Sequence, residues 1–131
     1  MKFSKTNKDT TGILYVLEFE LEGQTLVKIG ITSRNIEDRV SEILVSIFHK
    51  YRMFPYCRPK RFRKVKNNKE CETILHKWFE KDRYITEHKF SGSTEFFAIK
   101  LEDAVSAYEN LLNNKPLDYK EKEDEICEQK T

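Results

Sequence analysis

Between Arg58 and Lys69 the chain carries seven basic residues and no acidic one: Arg58, Lys60, Arg61, Arg63, Lys64, Lys66 and Lys69. Within "RFRKVK" the charges alternate with Phe62 and Val65, the pattern of a strand anchored by apolar residues and cationic on one face. Such a row suits the phosphates of a nucleic-acid backbone, a contact that weakens with salt and reads no bases. It also reads as a solvated basic strand balanced by acid elsewhere in the chain. A second set follows on a helical stripe. Cys71, Ile74, Leu75, Trp78 and Phe79 mark the apolar face of a helix from about Lys69 to Lys81. Glu72, His76 and Arg83 fall at i, i+4 and i+11 along its flank. The three cysteines (Cys57, Cys71, Cys127) form no CxxC pair. Cys57, Cys71 and His76 match no common zinc spacing, so reduced thiols are expected.

These groups need elements to position them. Ile13 to Phe19 and Leu26 to Ile31 are dense apolar runs, and Leu21-Glu22-Gly23-Gln24 between them predicts a β-hairpin. Asn35 is a helix cap with Asp38 in the first turn. Ile36, Val40, Ile43, Leu44, Ile47, Phe48 and Tyr51 then form one helical stripe. Arg39 falls about 100° from the middle of that stripe, on a shoulder that can lean over a sheet edge. "GSTEFFAIK" opens a last short strand. Ala104, Val105, Ala107, Tyr108, Leu111 and Leu112 make a third helix that ends before Pro116. The order β-β-α-β-α-β-α is an α+β layout, a small antiparallel three-stranded sheet flanked by helices.

The chain has 131 residues, 38% apolar and 35% charged, which fits one soluble domain with a modest core. Its longest clean apolar run, Ile13 to Leu17, is far shorter than a membrane span. "MKFSKTNKDTTG" lacks a secretion-type apolar core, so the cytoplasm is the expected compartment. The net charge of +2 points to no partner, but its distribution is uneven: from Asp118 to Thr131 six acidic residues face three basic ones. The expected division is a flexible N-terminus over 1–11, a folded domain over 12–115 and an acidic tail over 116–131.

"LYVLEF", "VKIGITSRNIEDRV", "ECETILHKWFEKDR" and "GSTEFF", in this order over roughly residues 12 to 100, resemble the GIY-YIG nuclease superfamily. The nearest likeness is to its compact phage and bacterial branch, which reads KIG in the second motif. The resemblance implies an endonuclease that hydrolyses phosphodiester bonds in DNA with one divalent ion, Mg2+ or Mn2+. Tyr15 matches the tyrosine of the first motif, Lys28 the first position of the second, and Gly30 its glycine. Arg39 matches the arginine of the first helix, Glu95 the metal-binding glutamate, and His76 a histidine recurrent in this branch. Two positions depart from the pattern: Ile13-Leu14-Tyr15 replaces Gly-Ile-Tyr, and Lys28 replaces the second tyrosine.

The implied chemistry is coherent. Hydrolysis needs an activated water, neutralised phosphate charge and a stabilised leaving group. Magnesium prefers carboxylate oxygen and keeps most of its waters, so one glutamate can hold it. Arginine offers a permanently charged fork to non-bridging oxygens. A neighbouring ammonium favours a phenolate, which gives Lys28 a role beside Tyr15 as base. Gly30, without a side chain, is expected to let a phosphate approach the backbone.

Taken singly, each residue has a plainer reading: Tyr15 as a strand aromatic, Arg39 as half of a surface ion pair, Glu95 as a strand-edge charge. Two other functions stay open. One is a DNA-binding module without catalysis; the other is a phage accessory protein that contacts another protein through Glu121 to Glu128. No stripe of exposed apolar residues announces a homodimer.

Overall fold

A computed structural model describes residues 10–114. The expectations of a loose N-terminus and an acidic tail fall almost wholly on residues outside that range. Strands β1 (Gly12–Leu21) and β2 (Gln24–Thr32) form the hairpin, followed by α1 (Ile36–Tyr51), β3 (Tyr56–Val65) and α2 (Asn68–Trp78). A two-residue strand, β4 (Phe96–Phe97), and α3 (Leu101–Leu112) complete the fold. The sheet is fully antiparallel with four strands in the order β3-β1-β2-β4. The expected three-stranded sheet thus gains β4, which pairs Phe97 with Val27 and Phe96 with Lys28.

The hairpin turn is Glu22-Gly23, with positive φ at both residues, +55° and +74°. Both central residues left-handed is the turn whose twist matches paired strands. Glu22 tolerates that conformation because its carboxylate is tied on several sides. It accepts from Tyr84 Oη at 2.6 Å, the Glu87 amide at 2.7 Å and Tyr51 Oη.

Central β1 is buried on both faces, so Leu14, Tyr15, Val16 and Leu17 are all fully inaccessible. This explains a continuous apolar run where an alternating one is usual for antiparallel sheets. Leu14, Val16, Val27 and Ile29 pack with Leu75 of α2 and Ala104, Ala107 and Tyr108 of α3. Tyr15, Leu17, Phe19 and Leu26 pack with Ile36, Ile43 and Ile47 of α1. The sheet therefore separates a face covered by α1 from one covered by α2 and α3.

Edge strand β3 starts before the expected "RFRKVK". It includes Pro59, tolerated because the register shifts beside it: Leu17 pairs with Pro59 and Val16 with Arg61, leaving Lys60 bulged. Helix α2 stops at Trp78, short of Lys81, and a 3-10 turn follows over Glu80–Asp82. Arg83 is consequently off the helix, bridged to Phe97 and donating to the Thr94 carbonyl.

Candidate active site

Antiparallel register does the first part of the assembly. Tyr15 lies directly opposite Gly30, and Lys28 is two residues before it on the same face of β2. Lys28 is fully buried. Its Nζ donates to Tyr15 Oη at 2.9 Å and to Glu95 Oε1 at 2.5 Å, so one ammonium joins the phenol to the carboxylate. A buried ammonium persists only when paired in this way.

Helix α1 brings the guanidinium. The Asn35 side chain caps the helix by accepting from the Asp38 amide at 2.8 Å. That fixes the first turn, and Arg39 on the shoulder reaches back over the sheet. Its Nε donates to Tyr15 Oη at 3.4 Å, while a terminal nitrogen bonds Ser91 Oγ at 3.0 Å and Glu42 Oε1 at 2.6 Å. Burial alone would lower the guanidinium's proton affinity, but the bonds to Tyr15 and Glu42 reverse this and hold it firmly charged. Arg39, Tyr15, Lys28 and Glu95 are thus joined in one chain of hydrogen bonds on the α1 face.

Gly30 serves this assembly differently from the expectation. A Cβ there would stand 2.6 Å from Tyr15 Cζ and 2.9 Å from Glu95 Oε1. The bare backbone makes room for the site's own phenol and carboxylate, and these fill the space once assigned to a phosphate. Gly92, which the sequence showed only as a turn residue, does the same above Lys28. Its φ is +82°, and a Cβ would lie 2.6 Å from Lys28 Cε and 2.8 Å from Nζ.

His76 does not touch Tyr15. Strand β4 pairs only with Val27 and Lys28, so from Ile29 onward the edge of β2 has no strand beside it. His76 Nε2 lies 2.8 Å from the Ile29 carbonyl there, and since a carbonyl only accepts, Nε2 carries the hydrogen. Burial, opposed by that bond, lowers the imidazole's proton affinity and favours the neutral ring. His76 thereby fastens α2 to the sheet edge next to Gly30.

Fastening α2 brings in Glu72, seen in the sequence only as a helix-flank acid. It is 9% exposed, and its Oε2 is buried with no hydrogen-bond donor among the described residues. Burial, then the charge of Glu95, push the Glu72 carboxyl up to about 7. No cluster of three His, Cys, Asp or Glu suited to a metal occurs among the described residues. Even so, a buried acceptor without a donor beside a second carboxylate fits a hydrated divalent cation, because magnesium needs few protein oxygens. Cys57 packs with the α1 core and Cys71 with the opposite one, so the two thiols do not meet.

The cationic run divides between faces. Arg61 and Arg63 lie opposite Val16 and Leu14 and both bind Glu109 of α3, at 2.7 and 2.8 Å. Lys60 pairs with Glu18 at 3.6 Å, and Arg58 lies opposite Glu18 on that same side. Only Lys64, opposite Ile13, shares the face of Tyr15 within the strand; Lys66 follows its end.

These elements, from the first residue of β1 to the last of α3, coincide with the T5orf172 domain, whose family model matches residues 12–112. The chain belongs to that family. No curated protein and no solved structure matches it. Among the described residues no helix is long and apolar enough to cross a membrane.

Proposed function

We propose that the chain is a metal-dependent DNA endonuclease of the GIY-YIG type, hydrolysing phosphodiester bonds. One observation carries the reading. A phenol oxygen on a strand receives hydrogen bonds from an ammonium and a guanidinium, with a carboxylate on the same ammonium. Two cationic donors fix that oxygen in place, and because Tyr15 is fully buried, water reaches it to give up a proton only when Arg39 turns aside. Arg39 keeps part of its fork directed at Ser91 and Glu42 and can turn it to the non-bridging oxygens of a phosphate. Lys28 holds Tyr15 and Glu95 in register. Glu95 and Glu72 would hold Mg2+ or Mn2+, which when bound supplies charge neutralisation at the phosphate. Membership of the T5orf172 family supports a nuclease or DNA-binding role.

A second reading, a DNA-binding module without catalysis, has one observation in its favour: the Lys28 ammonium already neutralises Glu95. Plasmid nicking decides between them. Wild type is expected to nick with magnesium and to stop with EDTA. Tyr15→Phe should lose at least about a hundredfold in rate, the usual worth of a positioned proton acceptor, and Glu95→Ala should lose the metal-dependent nicking. Equal behaviour of wild type and Glu95→Ala, with no dependence on metal, overturns the enzymatic reading.

A further inference from the structure

We infer that Phe62 is a stacking platform for an unpaired base next to the phosphate held at Tyr15, so that single-stranded or locally opened DNA is the preferred substrate. This rests on the reading of the site as a DNA phosphodiester site and deepens it.

The register supplies the placement. Phe62 lies directly opposite Tyr15, and Tyr15 directly opposite Gly30, so the three form one transverse row across β3, β1 and β2. Directly opposed residues point to the same face, with Cβ atoms about 4.5–5.5 Å apart. Phe62 therefore flanks the Tyr15 position on the side away from Glu95, while the phenol itself reaches the other way over Gly30. The base met by the ring is thus that of a nucleotide adjoining the bound phosphate. It is 49% exposed and belongs to neither buried cluster. The fold does not require an aromatic at this edge. Its sequence neighbours Arg61 and Arg63 turn to the other face and bind Glu109.

Two residues along the strand, Lys64 is exposed on the same face, opposite Ile13. An exposed ring beside a cation, both on the strand next to Tyr15, is the combination by which proteins hold single strands. In a duplex each internal base face is already covered by its neighbours, so the ring can stack only on a base that is unpaired or terminal. The preference for opened DNA follows from that geometry.

The test measures binding of a fluorescein-labelled single-stranded DNA and of the same sequence as a blunt duplex, by anisotropy in EDTA, with cleavage in magnesium read separately. Wild type is expected to prefer the single strand. Phe62→Ala should weaken single-strand binding by about tenfold, in line with the loss of one stacked base, and duplex binding by less than twofold. Phe62→Trp should restore it. Equal single-strand affinity of wild type and Phe62→Ala overturns the inference, as does an equal loss on both DNAs. So does a dimer in light scattering that dissociates on Phe62→Ala, which would assign the ring to a second copy of the chain. Magnesium-dependent cleavage with no Phe62 effect leaves the nuclease reading standing and removes the platform. A Phe62-dependent single-strand preference without cleavage removes catalysis and keeps the platform.

Discussion

At the scale of single residues, Lys28 carries the most consequence. Its ammonium is fully buried and bonded to one phenol and one carboxylate, while a second carboxyl, Glu72, stands beside the first. Removing the cation leaves two acids facing each other with nothing between them. Lys28→Met is expected to lower stability by about 2–3 kcal/mol, somewhat less than is usual for breaking a fully buried pair, because Glu95 is partly exposed. Lys28→Met/Glu95→Gln should recover more than half of that loss, since the stranded charge goes with it. Urea denaturation of the three proteins is the measurement; a Lys28→Met variant as stable as wild type would show that the pair holds nothing together. Gly30 adds a second case. An alanine there meets the Tyr15 ring and the Glu95 carboxylate, so Gly30→Ala should cost about 1–3 kcal/mol as overpacking. Nicking by that variant should fall at least as far as by Tyr15→Phe, because the phenol itself must move.

At the scale of elements, the hairpin turn is a tie point as well as a connection. Glu22 gathers Tyr51 from the end of α1 and Tyr84 and Glu87 from the segment leading to β4. Burial works to raise its proton affinity, but the bonds from Tyr51, Tyr84 and the Glu87 amide outweigh burial and hold the carboxyl below its ordinary value of 4.5. A carboxyl held low in the folded state stabilises above its unfolded value and loses that contribution as pH falls through the folded one. Glu22→Gln should therefore be less stable than wild type at pH 7, with the gap closing below about pH 4.5. Urea midpoints across that range would expose the opposite trend if the tie were absent. The same elements show what a sequence discloses. The hairpin and α1 were legible because their signals are local: a Glu-Gly turn between apolar runs, and Asn35 capping a stripe that ends at Tyr51. The site's principal side chains were legible because motif order carried them. The last short strand was legible in "GSTEFF", but its place in the sheet was not, since two residues pair only where Tyr84 and Arg83 have already met Phe96 and Phe97. Nor was the approach of Glu72 to Glu95, which depends on where His76 pins α2.

At the scale of the molecule, the proposed function turns on which cations would meet DNA. In sequence the run from Arg58 to Lys66 looks like one patch. The bulge at Lys60 and the alternation of β3 split it, so that Arg61 and Arg63 share Glu109 on the α3 face while Lys64 stands with Tyr15 and Phe62 on the α1 face. A cation already neutralised by a carboxylate releases few counterions from a phosphate, because it must first give up its partner. The two sets should therefore differ in salt dependence. For wild type, the logarithm of affinity should fall linearly with the logarithm of salt concentration, and the slope counts neutralised phosphates at roughly 0.7 each on a single strand. Lys64→Gln should flatten that slope by about one such increment. Arg61→Gln/Arg63→Gln should leave it nearly unchanged and lower stability by under about 1 kcal/mol, as expected for exposed pairs. Anisotropy titrations from low to moderate salt make the comparison directly. A slope that flattens by two increments in the arginine double variant and stays fixed in Lys64→Gln would mean that DNA lies across the α3 face, away from Tyr15. The row of Phe62, Tyr15 and Gly30 would then have no strand to act upon, whatever the chemistry of its groups.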